Sequence, residues 1–234
     1  LIVHIADMEA LGRIAEDVPE QAKAAADAFW PGPLTMIFKK TEAVPLGTTG
    51  GLDTVAVRMP DHEAARELIR AGGGYIAAPS ANTSGRPSPT TAQHVEEDLA
   101  GRIDMIVDGG PVGIGLESTI VDVTGERPTL LRPGAVTVEM LRETVGPVEI
   151  DPALTGPLRE DVKPKAPGMK YRHYAPKAKL VIVAGKEAAV TDKINEMTAE
   201  QEALGIPCGV ICARETAPCY HCTNKKIIGS RQHQ

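Results

Sequence analysis

Apolar residues occur along residues 1–145 both in short continuous runs and at helical spacing. The runs predict β-strands, and the helical spacing predicts amphipathic helices. Strands are expected at 2–5, 34–38, 54–60, 75–79, 103–110, 118–124 and 128–134, the second of them half-buried. Helices are expected at 8–14 with Asp7 as N-cap, at 21–30, at 62–70 with Asp61 as N-cap, from 91 onwards and over 137–144, and a Gly/Thr-rich loop at 47–51. Because several strands follow one another without a helix, the pattern favours an α/β fold with a mixed sheet.

The composition changes after residue 145, and this change predicts two domains. The next residues are rich in proline, glycine and charge, which is typical of a linker. A strand at 179–183, a helix over 186–203 and a strand at 207–212 then predict a β-α-β unit. We therefore expect a first domain over 1–145, a linker over 146–178 and a partial, small, Rossmann-like α/β domain over 179–234.

Composition and charge narrow the class of protein. The formal net charge of -6 argues against a surface coated with basic patches, and an aromatic content of 3% argues against a base-stacking surface for single-stranded nucleic acid. No apolar run approaches the ~20 residues that span a bilayer, and the first residues lack a signal-peptide pattern. We therefore expect a cytoplasmic protein with no membrane segment.

The four cysteines all occur late, at Cys208, Cys212, Cys219 and Cys222, which suits a reducing compartment without disulfides. The last two form a CxxC pattern, and with the first two they could make a zinc site. The first two lie in the apolar run PCGVIC, where buried thiols are ordinary. We therefore predict no metal site here.

The segment PSANTSGRPSPT at 79–90 is the first candidate for chemistry. It follows a predicted strand and combines hydroxyl residues, an amide, a glycine and Arg86. Hydroxyls, exposed backbone N–H groups and a guanidinium suit an anion, above all phosphate. An ordinary Ser/Pro-rich surface turn has the same composition, so both interpretations stay open. Neither a Walker A loop nor a dinucleotide-binding GxGxxG motif occurs in the sequence.

Two arginines and a hydroxyl pair mark the ends of predicted strands. Arg58 ends the run TVAVRMP, and Arg132 ends PTLLRPG. Strand-end arginines can reach a ligand at the mouth of a sheet, although singly they more often form surface ion pairs. Ser118 and Thr119 stand at the entrance to another buried strand, where a hydroxyl serves either as a turn former or as a ligand donor.

Five segments follow one another in the order and spacing of one family. They are WPGPLT at 30–35, VAVRMP at 55–60, AAPSANTSGRPSPT at 77–90, GLESTIVD at 115–122 and LLRPG at 130–134. On these motifs the chain resembles the YrdC-like family of threonylcarbamoyl-AMP synthases. The segment PGMKYRHYAPKAKL resembles the linker of the longer, two-domain form. The resemblance covers about residues 1–183 and implies a YrdC-like twisted mixed sheet with covering helices.

The resemblance also implies a reaction. Family members are nucleotidyltransferases that condense L-threonine, bicarbonate and ATP, with Mg²⁺, into threonylcarbamoyl-AMP and pyrophosphate. A downstream complex then transfers the threonylcarbamoyl group to adenosine 37 of tRNA. By motif position the implied ATP-binding residues are Thr54, Ser80, Ser88, Arg132 and Tyr174, the last in a linker that folds over the active site. The implied threonine-binding residues are His4, Arg58, Ala78 and Ser118, and the implied catalytic residues are Arg58 and Arg132.

The chain departs from the family pattern at both ends. A strand–helix unit and a basic phosphate-binding motif precede the position of Leu1 in the family, and the resemblance fades after about Ile211. We therefore expect a catalytic domain that lacks its N-terminal part, and a shortened C-terminal domain. Two alternatives to an active synthase stay open, a double-stranded-RNA-binding module and an inactive fragment of the enzyme. Steeply salt-dependent affinity without ATP dependence would favour RNA binding.

Overall fold

In the computed structural model, which describes residues 1–154 and 178–231, the chain divides into two units, Leu1–Pro176 and Lys177–Gln234. The boundary between the units lies inside the segment 146–178 that the sequence predicts as a linker. Within the described ranges, no helix has both the length and the apolar character that crossing a membrane requires.

The first unit is built on one mixed sheet. Its strands are β1 (Ile2–Ile5), β2 (Ala15–Glu16), β3 (Leu34–Lys40), β4 (Thr54–Arg58), β5 (Tyr75–Ala78), β6 (Thr119–Asp122), β7 (Thr129–Arg132) and β8 (Glu149–Ile150). The strand order is β5-β1-β4-β3-β6-β7-β8, and β2 pairs with β3. Three pairs are parallel (β1–β4, β3–β6 and β7–β8), and the other four are antiparallel. The prediction of a mixed α/β sheet is confirmed.

Six helices accompany this sheet, and side chains at their first residues fix where most of them begin. They are α1 (Met8–Ile14), α2 (Glu20–Phe29), α3 (Leu46–Thr49), α4 (Glu63–Ala71), α5 (Ala92–Leu99) and α6 (Val138–Val145). Asp7, Thr91 and Thr137 accept a hydrogen bond from the backbone N–H three residues on, as N-caps do. The predicted Asp61 cap is wrong, because the Nδ1 atom of His62 occupies that position and accepts from Ala65 N.

Strand register separates the side chains of the sheet onto two faces. One face carries Val3, Val57, Met36 and Val121, and packs in a single core cluster with residues of α1, α2 and α6. The opposite face carries a smaller apolar cluster of Ile37, Ala56, Ile120 and Leu131, with Ile2 packed against it. Strand β3 is therefore buried on both faces along residues 34–38, and the expectation of a half-buried strand is wrong.

Three local predictions for the first unit are also wrong. Residues 103–110 form no strand, and Met105 and Val107 are exposed, because an apolar run becomes a strand only where a neighbour pairs with it. The loop predicted at 47–51 contains most of the short helix α3. The predicted linker contains β8, which pairs with β7 and so extends the sheet beyond residue 145.

The second unit contains one long helix and a small sheet. Helix α7 (Glu187–Ala203) precedes β9 (Val210–Cys212), a 3₁₀ turn (Ala217–Cys219) and β10 (Lys225–Ile227). The two strands pair in parallel. Its core is a cluster of five buried residues, Val210, Cys212, Ala217, Tyr220 and Cys222. The strand predicted at 179–183 does not form, whereas β10 was missed because KKI lacks an apolar pattern.

Candidate functional site

The pairing of β1 with β4 sets His4 directly beside Arg58 on the sheet face opposite the main core. The Nδ1 atom of His4 is buried and has no hydrogen-bond partner among the residues that the structure describes. Burial, and then the positive charge of Arg58, lower the pKa of His4 to about 4. The imidazole is therefore neutral at physiological pH. A buried polar atom without a partner is well placed to bond a ligand or a water molecule.

The loop after α2 fixes the Arg58 guanidinium. Arg58 Nε donates to the Gly32 carbonyl at 3.0 Å, while Gly32 N donates to the Met59 carbonyl at 2.8 Å. A Cβ atom on Gly32 would stand 2.3 Å from the Phe29 carbonyl oxygen, so only glycine fits this bend. The motifs WPGPLT and VAVRMP thus hold each other through one backbone bond and one bond from the Arg58 side chain.

A second guanidinium is fixed by the motif GLESTIVD. Arg132 donates through Nε to the Ser118 carbonyl at 2.9 Å and through Nη2 to Ser118 Oγ at 3.1 Å. The same Ser118 hydroxyl shares a buried hydrogen bond of 2.7 Å with Thr35 Oγ1. Because two side chains engage this hydroxyl, Ser118 holds Arg132 in place as well as lining the site. Thr35 was not singled out from the sequence, although a hydroxyl at the start of a buried strand is the signal that could have found it.

The turn after β7 completes this arrangement. Thr119 Oγ1 donates to the Val136 carbonyl at 2.7 Å and accepts from Val136 N at 3.1 Å. Gly134 packs against it so closely that a Cβ atom would stand 2.6 Å from both the Glu117 oxygen and Thr119 N. The glycine of LLRPG is therefore required by close backbone approach, and it fixes the strand end that carries Arg132.

Two positive charges thus meet on one sheet face. Residues opposite each other in a ladder share a face, and the register of β3, β6 and β7 places Thr35, Arg58 and Arg132 together. Burial and the charge of Arg132 lower the pKa of Arg58. Arg58 forms no ion pair within the described part of the chain. Binding an anion here would relieve the repulsion between the two cations.

The loop at 79–91 is pinned to helix α5. Arg86 forms an ion pair with Asp98, whose other oxygen accepts from Thr83 N at 3.2 Å. Arg86 is therefore engaged by a carboxylate of the protein itself. Ser80 is exposed, whereas Ser88 Oγ is buried without a hydrogen-bond partner among the described residues. Of the loop hydroxyls, Ser88 thus has the clearest need for a ligand or water.

The remaining predicted site residues are more scattered. Ala78 pairs with Ile2 at the end of β5, next to the strand that carries His4. Thr54 lies on the same face of β4 as Arg58 but at its other end, roughly 13 Å away at the rise of a strand. Tyr174 lies outside the described residues. The structure therefore brings His4, Arg58, Ser118 and Arg132 together, and places Thr54 a strand length away.

Comparison with known proteins identifies the family. Residues 1–134 match the Sua5/YciO/YrdC family model, described as telomere recombination, and residues 136–233 match the threonylcarbamoyl-AMP synthase C-terminal domain. The chain belongs to the threonylcarbamoyl-AMP synthase family. The second match extends past Ile211, so the expectation that the resemblance fades there is wrong.

Relatives within this family are similar over most of the chain. The threonylcarbamoyl-AMP synthase of Pyrococcus abyssi is 51% identical over 211 residues, which are 90% of this chain and 62% of the relative. That of Bacillus subtilis is 47% identical over 99% of this chain and 65% of the relative. A crystal structure of P. abyssi Sua5 complexed with L-threonine aligns with a TM-score of 0.89 and 46% identity, over 98% of this chain and 66% of that one. The chain thus spans about two thirds of the length of these relatives.

The buried neutral histidine makes this family member sensitive to acid. Above pH 6.5 His4 is neutral in both the folded and the unfolded state, so it adds no pH dependence. As the pH falls from 6.5 to about 4, only the unfolded state takes up the proton, and the free energy of unfolding falls. The shift corresponds to about 3 kcal/mol.

We therefore expect His4→Gln to lose less stability on acidification than the wild type, by about 2 to 3 kcal/mol between pH 7 and pH 4.5. Urea unfolding followed by the fluorescence of Trp30, the one tryptophan and a core residue of the first unit, measures this difference. An equal loss in the two proteins would show that His4 is not the acid-sensitive group.

Proposed function

We propose that this chain forms threonylcarbamoyl-AMP and pyrophosphate from L-threonine, bicarbonate and ATP. The observation that carries the proposal is the meeting of two fixed guanidiniums and a neutral imidazole, whose buried Nδ1 atom has no hydrogen-bond partner among the described residues, on one sheet face. The substrates are a zwitterionic amino acid and a triphosphate, so both require fixed cations. That P. abyssi Sua5 crystallises as a complex with L-threonine supports the same substrate for this chain.

Arg58 is the proposed partner of the threonine carboxylate. Its guanidinium is held through Nε, which leaves the planar fork of Nη atoms for a bidentate carboxylate. His4 stands beside it and stays uncharged, so its ring can accept or donate a hydrogen bond without repelling the substrate ammonium. Ala78, next to the strand that carries His4, and Ser118, which bonds Arg132, are proposed as further contacts of the threonine.

Arg132 is proposed to face the phosphates, with Ser80, Ser88 and Thr54 as further ATP ligands. In the reaction a carbamate oxygen attacks the α-phosphorus and the bond to pyrophosphate breaks, so negative charge accumulates on the leaving group. Such a step needs an in-line nucleophile and fixed positive charge rather than covalent help from the protein.

Magnesium fits this site as an ion carried by ATP. Among the described residues, a group of three potential metal ligands occurs only in the second unit. The described part of the first unit therefore offers no such group of ligands, and Mg²⁺ would be held chiefly by the phosphate oxygens, as is usual for this ion. We further propose that the product passes, in the cytoplasm, to a complex that modifies adenosine 37 of tRNA.

Pyrophosphate release tests the proposal. The purified chain is incubated with Mg·ATP, L-threonine and bicarbonate, and each of the last two is omitted in turn. Release that requires both is the expected result. Release that is independent of threonine, or none from a chain that circular dichroism shows to be folded, would contradict the proposed activity. Calorimetric titration with threonine alone then tells whether substrate binding is retained.

Arg58→Ala tests whether Arg58 contributes to binding threonine and not ATP. We expect KM for threonine to rise about 10- to 100-fold, the equivalent of lost charge-assisted hydrogen bonds, while KM for ATP changes little. Initial pyrophosphate release at varied threonine and at varied ATP measures both constants. Arg13→Ala is the matched control, because Arg13 is an exposed arginine on α1 paired with Glu9. Equal increases in both constants would refute the assignment of Arg58 to threonine.

A further inference from the structure

A second group of reactive side chains lies in the second unit, away from the sheet just described. Glu202, Cys208 and Cys222 bring a carboxylate oxygen and two sulfurs within 4.8 Å of one another. Both cysteines are free thiols. Glu202 is exposed, Cys208 is half-buried and Cys222 is buried, so the group reaches from the surface into the small core. The group does not include Cys212 or Cys219, the other two cysteines of the sequence.

Backbone structure holds the three residues near one another. Glu202 lies in the last turn of α7, and its carboxylate accepts a hydrogen bond from Thr223 N at 3.3 Å. Cys208 lies two residues before β9, and Cys222 lies three residues before β10, the two strands of the parallel pair. Asn224 Nδ2 donates to the Cys208 carbonyl at 3.2 Å, and Cys222 Sγ lies 3.9 Å from the same oxygen. The last turn of α7 and the segments before β9 and β10 therefore bring the three side chains together.

We propose that Glu202, Cys208 and Cys222 form a Zn²⁺ site, with water as the fourth ligand. Thiolate sulfur together with a carboxylate oxygen is a donor set that zinc accepts in tetrahedral geometry. The helix C-terminus adds partial negative charge next to the ion, and α7 has no basic residue in its last turn to oppose it. The exposed position of Glu202 leaves a path for the ion and the water to enter.

Zinc at this position would have a structural consequence. The second unit has five core residues and a two-stranded sheet, and two-stranded sheets are marginal by themselves. Small units with so little core are commonly stabilised by a metal or by disulfides. One ion bound to the end of α7 and to the residues before β9 and β10 would cross-link the helix to both strands. The proposal replaces the sequence-based expectation of no metal among these cysteines.

Metal titration of the reduced full chain tests the site. With Co²⁺ as a spectroscopic substitute, we expect one equivalent to bind with a thiolate-to-cobalt charge-transfer band, which Zn²⁺ then abolishes. Cys208→Ser and Cys222→Ser should each reduce the band to about half or less of its intensity, because one sulfur remains, and weaken Zn²⁺ binding at least about 100-fold, as measured by competition with a chromophoric chelator. Cys219→Ser, an exposed thiol outside the group, is the matched control and should bind as the wild type does.

Glu202→Gln still tests the proposed site even if replacing the buried Cys222 unfolds the second unit. Its side chain is exposed, so the core is untouched. We expect the band to persist, because both sulfurs remain, and Zn²⁺ affinity to fall about tenfold. The proposal is overturned if the reduced, folded chain takes up no Co²⁺ or Zn²⁺. It is equally overturned if the band keeps its full intensity in Cys208→Ser, or if Cys219→Ser weakens it.

Discussion

Arg132→Leu is expected to lower kcat/KM for pyrophosphate release about 100- to 1000-fold, which is typical for removal of one fixed donor to a developing negative charge. The guanidinium is held by both the carbonyl and the hydroxyl of Ser118, so it requires no reorganisation when charge accumulates on the leaving pyrophosphate. Initial rates at saturating threonine and varied ATP measure the effect. This expectation rests on the proposed reaction, and the decrease should appear mainly in kcat.

Two further variants separate charge from structure. Arg132→Lys keeps the positive charge but loses the planar fork, so we expect partial activity. Arg142→Leu removes an arginine that also donates to a backbone carbonyl, that of Val148 at 3.2 Å, but lies on α6 outside the site. It should retain the wild-type rate. If Arg132→Leu folds normally and keeps more than about a third of the wild-type kcat/KM, Arg132 is not the phosphate ligand.

Gly134→Ala is expected to reduce the free energy of unfolding of the first unit by about 3 kcal/mol. The new Cβ atom would stand 2.6 Å from two backbone atoms and 2.7 Å from Thr119 Oγ1. None of these atoms is the free end of a flexible side chain, since Thr119 N donates to the Pro33 carbonyl at 2.9 Å and its hydroxyl bonds Val136. Urea unfolding followed by Trp30 fluorescence measures the loss.

Gly125→Ala is the matched control for this substitution. Gly125 lies in the connection between β6 and β7, and the nearest atom to its Cβ position is 3.7 Å away, an ordinary contact. We expect its stability to stay within about 0.5 kcal/mol of the wild type. Equal stability of the two alanine variants would mean that the turn after β7 relaxes easily and does not fix the strand end that carries Arg132.

Much of the first unit could be predicted from apolar pattern and capping residues. Strands β1 and β4 follow their apolar runs closely, because a buried strand needs such a run on at least one face, and β5, which has no buried residue, also follows its run. The same rule failed at 103–110, where the run finds no partner strand, and at β8 and β10, where a partner strand exists but the run is short or charged. Pairing is a property of two segments, so one segment's composition does not determine it.

The candidate site shows the same division. Arg58 and Arg132 could be singled out because they end apolar runs, and strand ends are where a sheet presents polar groups. Their proximity could not be derived, since it depends on the order of strands β4, β3, β6 and β7. Thr35 and Gly32 were overlooked for a related reason. They act through contacts with residues distant in sequence, and the presence of a threonine or a glycine does not by itself indicate such a contact.

The register between β1 and β4 makes β4 sensitive to a change in its length by a single residue. Deleting one residue of 54–58 ahead of Val57 would move the side chains that follow it to the opposite faces of the sheet. Arg58 would then point into the helix-covered core, and Val57 would lie on the face that carries His4. One such deletion is therefore expected to lower both the free energy of unfolding and any ligand binding that uses Arg58. Insertions in the segment 47–51, which ends three residues before β4 and is exposed at its glycines, carry no such double penalty. We therefore expect natural length variation to accumulate in that segment and to be excluded from the strand beside it.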